Sequence, residues 1–266
     1  MSEFNKDGLG NVLFVAVAVC LVCSIVVSGA AVALKPAQLK NKELDQKQNI
    51  LRAAGLLPED STVDASGRGV EEIFGEFTPR VVNLETGAFD DTVEAASVDP
   101  IRMAKDPDNS LDLTSEQDIA TIGRREKLSV VYIKEDSDGL EKLVIPVRGY
   151  GLWGTLYGYL ALDGDLQTIS GLGFYQHGET PGLGGEVDNP RWKALWPGVQ
   201  LYSEGEPSVR IVKSRSAAGS PAAAYEVDAL SGATFTNRGV ENLINFWTGE
   251  LGFGPFIEQL KVGGTS

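Results

Sequence analysis

An uninterrupted apolar segment from Val12 to Leu34 constrains this chain more than any other feature, because it contains no charged side chain. As a helix, a stretch of about 20 such residues crosses a hydrocarbon core roughly 30 Å thick. A cleaved signal peptide is the alternative, since Ala31-Val32-Ala33 resembles a cleavage site. The run is longer than a usual signal core, however, and the segment before it contains a single basic residue, Lys6. The sequence therefore predicts an N-terminal flank at 1–11 and a retained transmembrane helix at 12–34.

The net charge limits what else the chain can bind. The 266 residues carry a formal charge of −14, whereas nucleic-acid phosphates are bound by lysine and arginine. Anionic lipid head groups would repel the same charge. We therefore expect no nucleic-acid partner, and contact with a membrane through the apolar segment alone.

Both cysteines, Cys20 and Cys23, lie inside the apolar segment. Their spacing is that of redox and metal motifs, but two ligands make an incomplete metal site unless a partner supplies the others. The rest of the chain has no cysteine, which excludes disulfides, a thiol nucleophile and an iron–sulfur cluster of its own there. We expect no metal site in this chain.

The charges that flank the apolar segment favour a cytoplasmic domain. Four lysines follow the segment within about a dozen residues, at positions 35, 40, 42 and 47, while Lys6 and the α-amino group precede it. The positive-inside rule would keep the following domain in the cytoplasm, although long domains are translocated largely regardless of flanking charge.

The membrane-proximal part, residues 35–127, contains few regular elements. Pro36 to Gly55 is typical of a separate polar helix with a sparse apolar stripe, ended by Gly55. A short helix is predicted around Val70 to Phe74 and a strand around Arg80 to Leu84. Residues 85–127 are polar, with Pro and many Asp and Ser, and predict a surface excursion with little core content.

Strand patterns become dense from residue 128 onwards. Four apolar runs joined by turns predict a β-meander: 128–133, 143–147, 151–162 and 166–176. A short helix at 189–196 and strands at 209–213 and 225–227 follow. We predict an α+β fold, a single transmembrane helix followed by a mostly antiparallel sheet with packed helices, in which residues 128–262 form one domain.

The stretch from Asp228 to Asn237 precedes a predicted amphipathic helix. Apolar residues stand behind it at i, i+3, i+4 and i+7: Val240, Leu243, Ile244 and Trp247. Thr234 and Thr236 therefore lie at or just before a helix N-terminus, where unpaired N–H groups and the helix dipole favour a phosphate. An ordinary Ser/Thr cap after a glycine turn is the competing interpretation.

A second motif runs from His177 to Gly185. Thr180-Pro181-Gly182 predicts a type II turn with a positive φ at Gly182, and Gly184 and Gly185 leave room for a flat ligand. A simple surface turn, in which His177 only forms hydrogen bonds, is the alternative. Ser231 lacks the glycine pattern of a nucleophile elbow, which argues against a hydrolase pair of Ser231 and His177. An acid–base role for Glu179 is possible, but no second carboxylate is spaced to support it.

Together these motifs resemble a known family. Asp228-x-x-Ser231-Gly232-Ala233-Thr234 is similar to the sequence at which a bacterial flavin transferase joins FMN, through its phosphate, to threonine. The run Gly149-Tyr-Gly-Leu-Trp-Gly154 and the loop at 177–184 resemble those of the covalent-FMN subunit of the sodium-translocating NADH:quinone oxidoreductase. The flavin-bearing subunit of the Rnf electron-transfer complex shares the flavin motif but is usually shorter before the meander.

The resemblance implies an FMN-binding domain whose flavin is attached covalently to Thr234. The remaining cofactor-binding residues that it suggests come from three segments: Trp153; Glu179, Thr180, Pro181, Gly182, Leu183 and Gly184; Asp228, Ser231, Gly232 and Ala233.

The family also implies a function. The chain would relay electrons within a membrane complex that oxidises NADH, reduces ubiquinone and pumps sodium ions, without itself binding NADH. Its partners would be the other subunits and a flavin transferase, and its domain would lie on the periplasmic side of the bacterial inner membrane, against the charge rule. An Rnf-type flavin subunit and a cofactor-free membrane-anchored binding module are the alternatives.

Overall fold

The computed structural model describes residues 8–137 and 139–263 of the chain. Most of the predicted N-terminal flank, residues 1–7, lies outside the described residues. The chain divides into two compact units, Met1–Gln46 and Lys47–Ser266.

The helices of the described chain differ greatly in length. They are α1 (Leu9–Ala53), α2 (Val70–Phe74), α3 (Pro100–Met103), α4 (Pro190–Lys193), α5 (Thr234–Thr248) and α6 (Gly254–Gly263). Short 3₁₀ turns lie at Ala95–Ser97, Pro107–Asn109, Gly184–Asp188 and Pro221–Tyr225. The predicted helix at Val70 to Phe74 is confirmed, whereas α6 has no counterpart among the predictions.

The strands are mostly short outside the central sheet. They are β1 (Phe77–Asn83), β2 (Ala88–Phe89), β3 (Ser110–Asp112), β4 (Arg124–Glu126), β5 (Leu128–Asp136), β6 (Gly139–Tyr150), β7 (Thr155–Asp163), β8 (Ile169–Gln176), β9 (Tyr202–Ser203), β10 (Glu206–Pro207), β11 (Arg210–Val212) and β12 (Glu226–Asp228).

Helix α1 is long and apolar enough to cross a membrane, and its apolar window is not buried within the chain. The predicted break at Pro36 is wrong, because Pro36 lies inside the continuous helix. A proline removes one backbone donor and disfavours the preceding turn by about 3 kcal/mol. In a helix of 45 residues this local loss does not end the element. Only the C-terminal end of α1, at Ile50, Leu51 and Ala53, is buried.

The central sheet has six antiparallel strands in the order β2-β1-β5-β6-β7-β8. The predicted meander is confirmed as β5-β6-β7-β8, with β6 and β7 paired from Lys142↔Asp163 to Tyr150↔Thr155. β1 extends the sheet by pairing with β5 over the seven positions from Phe77↔Lys134 to Asn83↔Leu128. The mostly antiparallel α+β fold is thus the observed one.

Both faces of the sheet are covered. On one face, alternate residues such as Ile145, Leu156 and Leu160 form the main core with α5, α6 and the tryptophans of the α4 region. On the other face, the end of α1 approaches so closely that a Cβ on Gly171 would lie 2.3 Å from the Ala53 carbonyl oxygen. This covering explains why the central strands are buried on both sides and read as nearly continuous apolar runs.

The excursion at 85–127 is only partly as predicted. Most of it is exposed, but Arg125 and Glu126 of β4 are 2% and 1% exposed. Arg125 Nη1 donates to the carbonyl oxygens of Leu84 (3.0 Å) and Leu251 (2.8 Å), and Arg148 Nη2 lies 2.6 Å from Glu126 Oε2. Composition could not reveal this buried end, because charged residues are rarely buried unless they are paired.

Candidate functional site

The first turn of α5 begins without a capping side chain. Ala233 occupies the N-cap position and makes no side-chain hydrogen bond, so the Ser/Thr cap considered from the sequence is wrong. The first backbone bond of the helix runs from Asn237 N to Ala233 O at 2.9 Å. Within the described residues, the N–H groups of Thr234, Phe235 and Thr236 meet no acceptor. They form a cluster of free donors at the positive end of a 15-residue helix.

The turn that leads into α5 is held by Asn237. Its Oδ1 accepts from Leu230 N and its Nδ2 donates to Leu230 O, both at 2.9 Å. Gly232, between Leu230 and the helix, has φ +72°, a conformation that glycine adopts without strain. Asn237 ends the Asp228–Asn237 stretch, but the sequence assigns it no role, because a side-chain clamp across seven residues leaves no local pattern.

The hydroxyl-bearing residues near this turn have different surroundings. Thr234 and Ser231 are exposed, and neither hydroxyl has a hydrogen-bond partner within the described residues. Thr236 is 1% exposed, and its hydroxyl donates to Glu179 Oε2 at 2.5 Å. Only Thr234 combines an accessible hydroxyl with a position at the start of the helix.

The 177–185 loop adopts the predicted turn. Leu183 N donates to Thr180 O at 3.1 Å, and Gly182 has φ +76°, as a type II turn requires. His177 Nε2 lies 2.7 Å from Asp188 Oδ2, while its Nδ1 accepts from Glu179 N at 3.2 Å. His177 thus holds the two ends of the loop together.

Glu179 connects this loop to two other segments. Its Oε1 accepts from Leu152 N at 2.9 Å and from Trp153 N at 3.1 Å. Its Oε2 accepts the Thr236 hydroxyl described above. The Trp153 indole in turn donates from Nε1 to Thr180 Oγ1 at 3.0 Å. Thus the segments at 151–154, 177–185 and 230–237, far apart in the sequence, form one site.

Large apolar side chains stand exposed around this site. Trp153 is 66% exposed, Phe235 62% and Leu183 45%. A shallow depression of about 440 Å³ is lined by Gly182 of the loop, by Trp192 and Leu195, and by the Asp228–Ser231 segment. Exposed apolar side chains beside polar donors are typical of a surface that binds a ligand or a partner.

The structure places the predicted site residues as follows. Trp153, Glu179, Thr180, Leu183 and Gly184 are brought together with the first turn of α5 by the contacts above. Gly182 and Ser231 line the depression, together with Asp228, whose carbonyl oxygen accepts the Trp192 indole N–H at 2.9 Å. Pro181 is exposed in the turn.

Two titratable groups near these segments have shifted pKa values. Partial burial raises the pKa of Tyr175, two residues before the 177–185 loop, to about 12. Hydrogen bonds from the Ser216 backbone and hydroxyl lower the pKa of Glu226, at the start of β12. At neutral pH Tyr175 is therefore uncharged and Glu226 is ionised.

The fold is that of an FMN-binding domain. The FMN-binding domain family matches residues 151–249, a span that contains all three segments of the site.

Full-length relatives narrow the family. The chain is 49% identical to the C subunit of the Na(+)-translocating NADH-quinone reductase of Pseudomonas aeruginosa, over 97% of this chain and 98% of that protein. It is 42% identical to the same subunit of Vibrio parahaemolyticus, over 98% of each. The chain belongs to the family of C subunits of the Na(+)-translocating NADH-quinone reductase.

Solved structures agree with this membership. The crystal structure of Shewanella oneidensis NqrC is 37% identical, with a TM-score of 0.73, and covers 84% of this chain and 100% of that one. The crystal structure of the corresponding reductase subunit from Parabacteroides distasonis is 28% identical, with a TM-score of 0.60, over 88% and 98%. Relatives over nearly the full length favour the sodium-pump subunit over the Rnf-type alternative, and the FMN-binding match opposes a cofactor-free module.

Proposed function

We propose that Thr234 carries FMN through a phosphodiester bond, and that the chain is the electron-relaying flavin subunit of a sodium-translocating NADH:quinone oxidoreductase. The attachment site is inferred from the hydroxyl of Thr234, which is exposed and unpaired in the described residues and lies at the uncapped start of α5. Attachment forms a bond between Thr234 Oγ1 and the FMN phosphorus, while the leaving group of an activated FMN donor departs and the hydroxyl releases its proton.

The neighbouring hydroxyls are poorer candidates. Thr236 is buried and donates to Glu179, and the Thr180 hydroxyl accepts the Trp153 indole N–H. Ser231 is exposed, but it precedes the helix by three residues and does not lie at its N-terminus. The choice among these hydroxyls follows from accessibility and from where the phosphate would be stabilised.

The free N–H groups of the first turn of α5 suit a phosphate. They point out of a helix terminus whose dipole favours a negative charge, and no side chain competes for them. We propose that these donors hold the phosphodiester, and that Gly232 and Ala233 keep the approach to Thr234 open.

The exposed apolar side chains suit a flat aromatic ring. We propose that Leu183, the backbone of 180–184 and Trp153 border the isoalloxazine, with the depression lined by Asp228 and Ser231 beside it. When bound, FMN supplies one- and two-electron transfer, and the protein's role is to position it, exclude side reactions and tune its potential. We propose that residues 128–262 form this flavin-carrying domain.

The chemistry of NADH and ubiquinone is assigned to partner subunits. The relatives' names place them in a reductase of several subunits, and the motifs of this chain include no dinucleotide-binding glycine loop. We propose that this chain passes electrons between partners, and that a flavin transferase matures it.

We also propose that α1 anchors the chain in the bacterial inner membrane with the flavin domain on the periplasmic side. Protease added to intact spheroplasts should digest the domain, and digestion should require no lysis. Protection of the domain until the membrane is broken would place it in the cytoplasm, as the flanking lysines suggest.

The attachment is tested by flavin fluorescence. Full-length chain coproduced with a flavin transferase should fluoresce under ultraviolet light after denaturing electrophoresis, and its peptide containing Thr234 should carry the added mass of FMN. Thr234→Ala should remove both signals, while Ser231→Ala should keep them. Fluorescence that persists in Thr234→Ala would refute the assignment.

A further inference from the structure

Glu179 is a buried acidic residue in an otherwise open loop. It is 6% exposed, whereas its two neighbours in the chain, Gly178 and Thr180, are exposed to solvent. A buried carboxylate is costly unless hydrogen bonds replace its water. The hydrogen-bond partners of the Glu179 carboxylate therefore need to be identified.

The Glu179 carboxylate is fully engaged by the chain itself. Three donors converge on it: the backbone N–H groups of Leu152 and Trp153 on Oε1, and the Thr236 hydroxyl on Oε2. All three donors are neutral, and no salt bridge to Glu179 is found within the described residues. The negative charge is therefore balanced by dipoles only, next to the start of α5.

The space around the carboxylate is closed on two sides by glycines. A Cβ on Gly151 would lie 2.5 Å from Oε1. A Cβ on Gly184 would lie 2.5 Å from Oε2 and 2.4 Å from Thr236 Oγ1. All of these distances are shorter than real Cβ contacts, so the backbone itself encloses the carboxylate.

The groups joined by Glu179 carry the exposed side chains of the proposed flavin site. Trp153 is held at its backbone by Glu179 and at its indole by Thr180, the next residue after Glu179. Thr236 stands two residues after Thr234, within the same helical turn. Glu179 is thus bonded both to the backbone that carries the Trp153 ring and to the helical turn that carries the Thr234 hydroxyl.

The geometry points to Glu179 as a positioning residue that, resting on the proposed function, fixes the segments around Thr234 and places a negative charge, held by neutral donors only, beside the flavin attached there. Both of its carboxylate oxygens are used by the chain, so it acts on the flavin through Trp153, Thr236 and its field. A nearby negative charge opposes the addition of an electron. Removing it raises the midpoint potential of the flavin.

Two variants separate the charge from the tether. Glu179→Gln keeps an oxygen for the two backbone N–H groups and turns an amide N–H₂ towards the Thr236 hydroxyl, which then accepts; only the charge is lost. Thr236→Val keeps the volume and removes one arm of the tether, and Thr236→Ser restores the hydroxyl.

The chain offers a matched control for each variant. Thr248 lies on the same helix, is also 1% exposed, and donates its hydroxyl to Ile244 O at 2.8 Å. The Glu241 carboxylate accepts the backbone N–H of Ile211 at 2.6 Å, just as the Glu179 carboxylate accepts backbone N–H groups. In the described residues the side-chain hydrogen bonds of both controls go to residues outside the three segments, so Thr248→Val and Glu241→Gln report the general cost of each change.

The first experiment uses full-length, flavin-loaded chain in detergent. We expect the flavin midpoint potential to be higher than wild type in Glu179→Gln and equal to wild type in Glu241→Gln. Thr236→Val should lower the fluorescence anisotropy of the attached flavin, Thr236→Ser should restore it, and Thr248→Val should leave it unchanged. Potentials equal to wild type in Glu179→Gln, or equal anisotropy in the Thr236 and Thr248 valine variants, would overturn the inference.

The second experiment needs no flavin. In full-length Thr234→Val chain, hydrogen exchange at the Leu152 and Trp153 amides should be at least about tenfold faster when Glu179→Ala is added, since each 1.4 kcal/mol of lost protection is tenfold. Unchanged exchange in a chain that remains folded elsewhere would refute the tether. This result is independent of whether Thr234 is the attachment residue, which the fluorescence and peptide mass of Thr234→Ala decide.

Discussion

The first turn of α5 carries two threonines in opposite surroundings. On the solvent side, Thr234 is exposed and its hydroxyl is free within the described residues. On the inner side, Thr236 is buried and bonded to Glu179. A hydroxyl with a structural partner is protected from reagents, whereas a free one next to unpaired N–H groups is available for chemistry. The comparison shows that burial, more than residue type, separates the two roles.

The largest expected effect is the reciprocal behaviour of the two threonines. Thr234→Val should abolish flavin attachment and change the free energy of unfolding by less than about 0.5 kcal/mol, as usual for surface sites. Thr236→Val should still acquire flavin but lose about 1–3 kcal/mol, because it leaves a buried carboxylate oxygen without its donor. Ultraviolet fluorescence in gels and denaturant unfolding in detergent measure the two quantities. If the two variants behaved equally in either assay, the distinction between a free Thr234 and a structural Thr236 would be contradicted.

Asn237 sharpens the comparison on the inner side. Asn237→Ala removes both hydrogen bonds to Leu230, a residue that is 8% exposed. We expect a loss of about 2–6 kcal/mol in unfolding free energy, since two backbone groups lose their partner at roughly 1–3 kcal/mol each. Asn242→Ala, on the same helix and without a side-chain bond to lose in the described structure, is the control and should stay within about 0.5 kcal/mol.

Gly184 tests how closely the inner side is packed. Gly184→Ala places a methyl group 2.4 Å from Thr236 Oγ1, which forces the loop and the helix apart and should cost about 1–3 kcal/mol. Gly178→Ala is the matched control, because a Cβ there meets no atom within 4 Å. The denaturation midpoints of the two variants measure the difference. A Gly184→Ala chain as stable as Gly178→Ala would mean that the loop adapts easily.

The smallest effect is expected on the solvent side, at Trp153. Trp153→Phe keeps a ring but loses the hydrogen bond to Thr180 Oγ1, which at an exposed position stabilises by about 0.5–1.5 kcal/mol. We expect a slight loss of stability and a measurable change in the fluorescence of the attached flavin. A change in stability larger than that of Asn237→Ala would reverse the proposed order of the two sides.

Much of the fold could be predicted from local patterns. The meander follows from alternating apolar residues and turns between β5 and β8, and the helix of α5 from the spacing of Val240, Leu243 and Trp247. The continuation of α1 through Pro36 could not be predicted, because proline normally marks a helix start or kink. The pairing of β1 with β5 across a 44-residue gap, from Asn83 to Leu128, depends on long-range contacts that have no local pattern.

The candidate site divides in the same way. The type II turn at Pro181-Gly182 and the position of Thr234 at a helix start were visible, because both depend on residues adjacent in sequence. The missing cap at Ala233 and the Asn237 clamp were not visible. Glu179 was placed among the flavin contacts by resemblance, and the hydrogen bonds that engage its carboxylate come from segments 26 and 57 residues away.

The sequence by itself determined the elements and the motifs, since the spacing of apolar residues, prolines and glycines acts within a few positions of the chain. It also determined that a hydroxyl would stand at the start of α5. Only the tertiary structure decided which hydroxyl is free and which is held. That choice depends on where Glu179 meets Thr236 and on how closely Gly151 and Gly184 let the segments approach, and both result from the packing of α5 against the sheet.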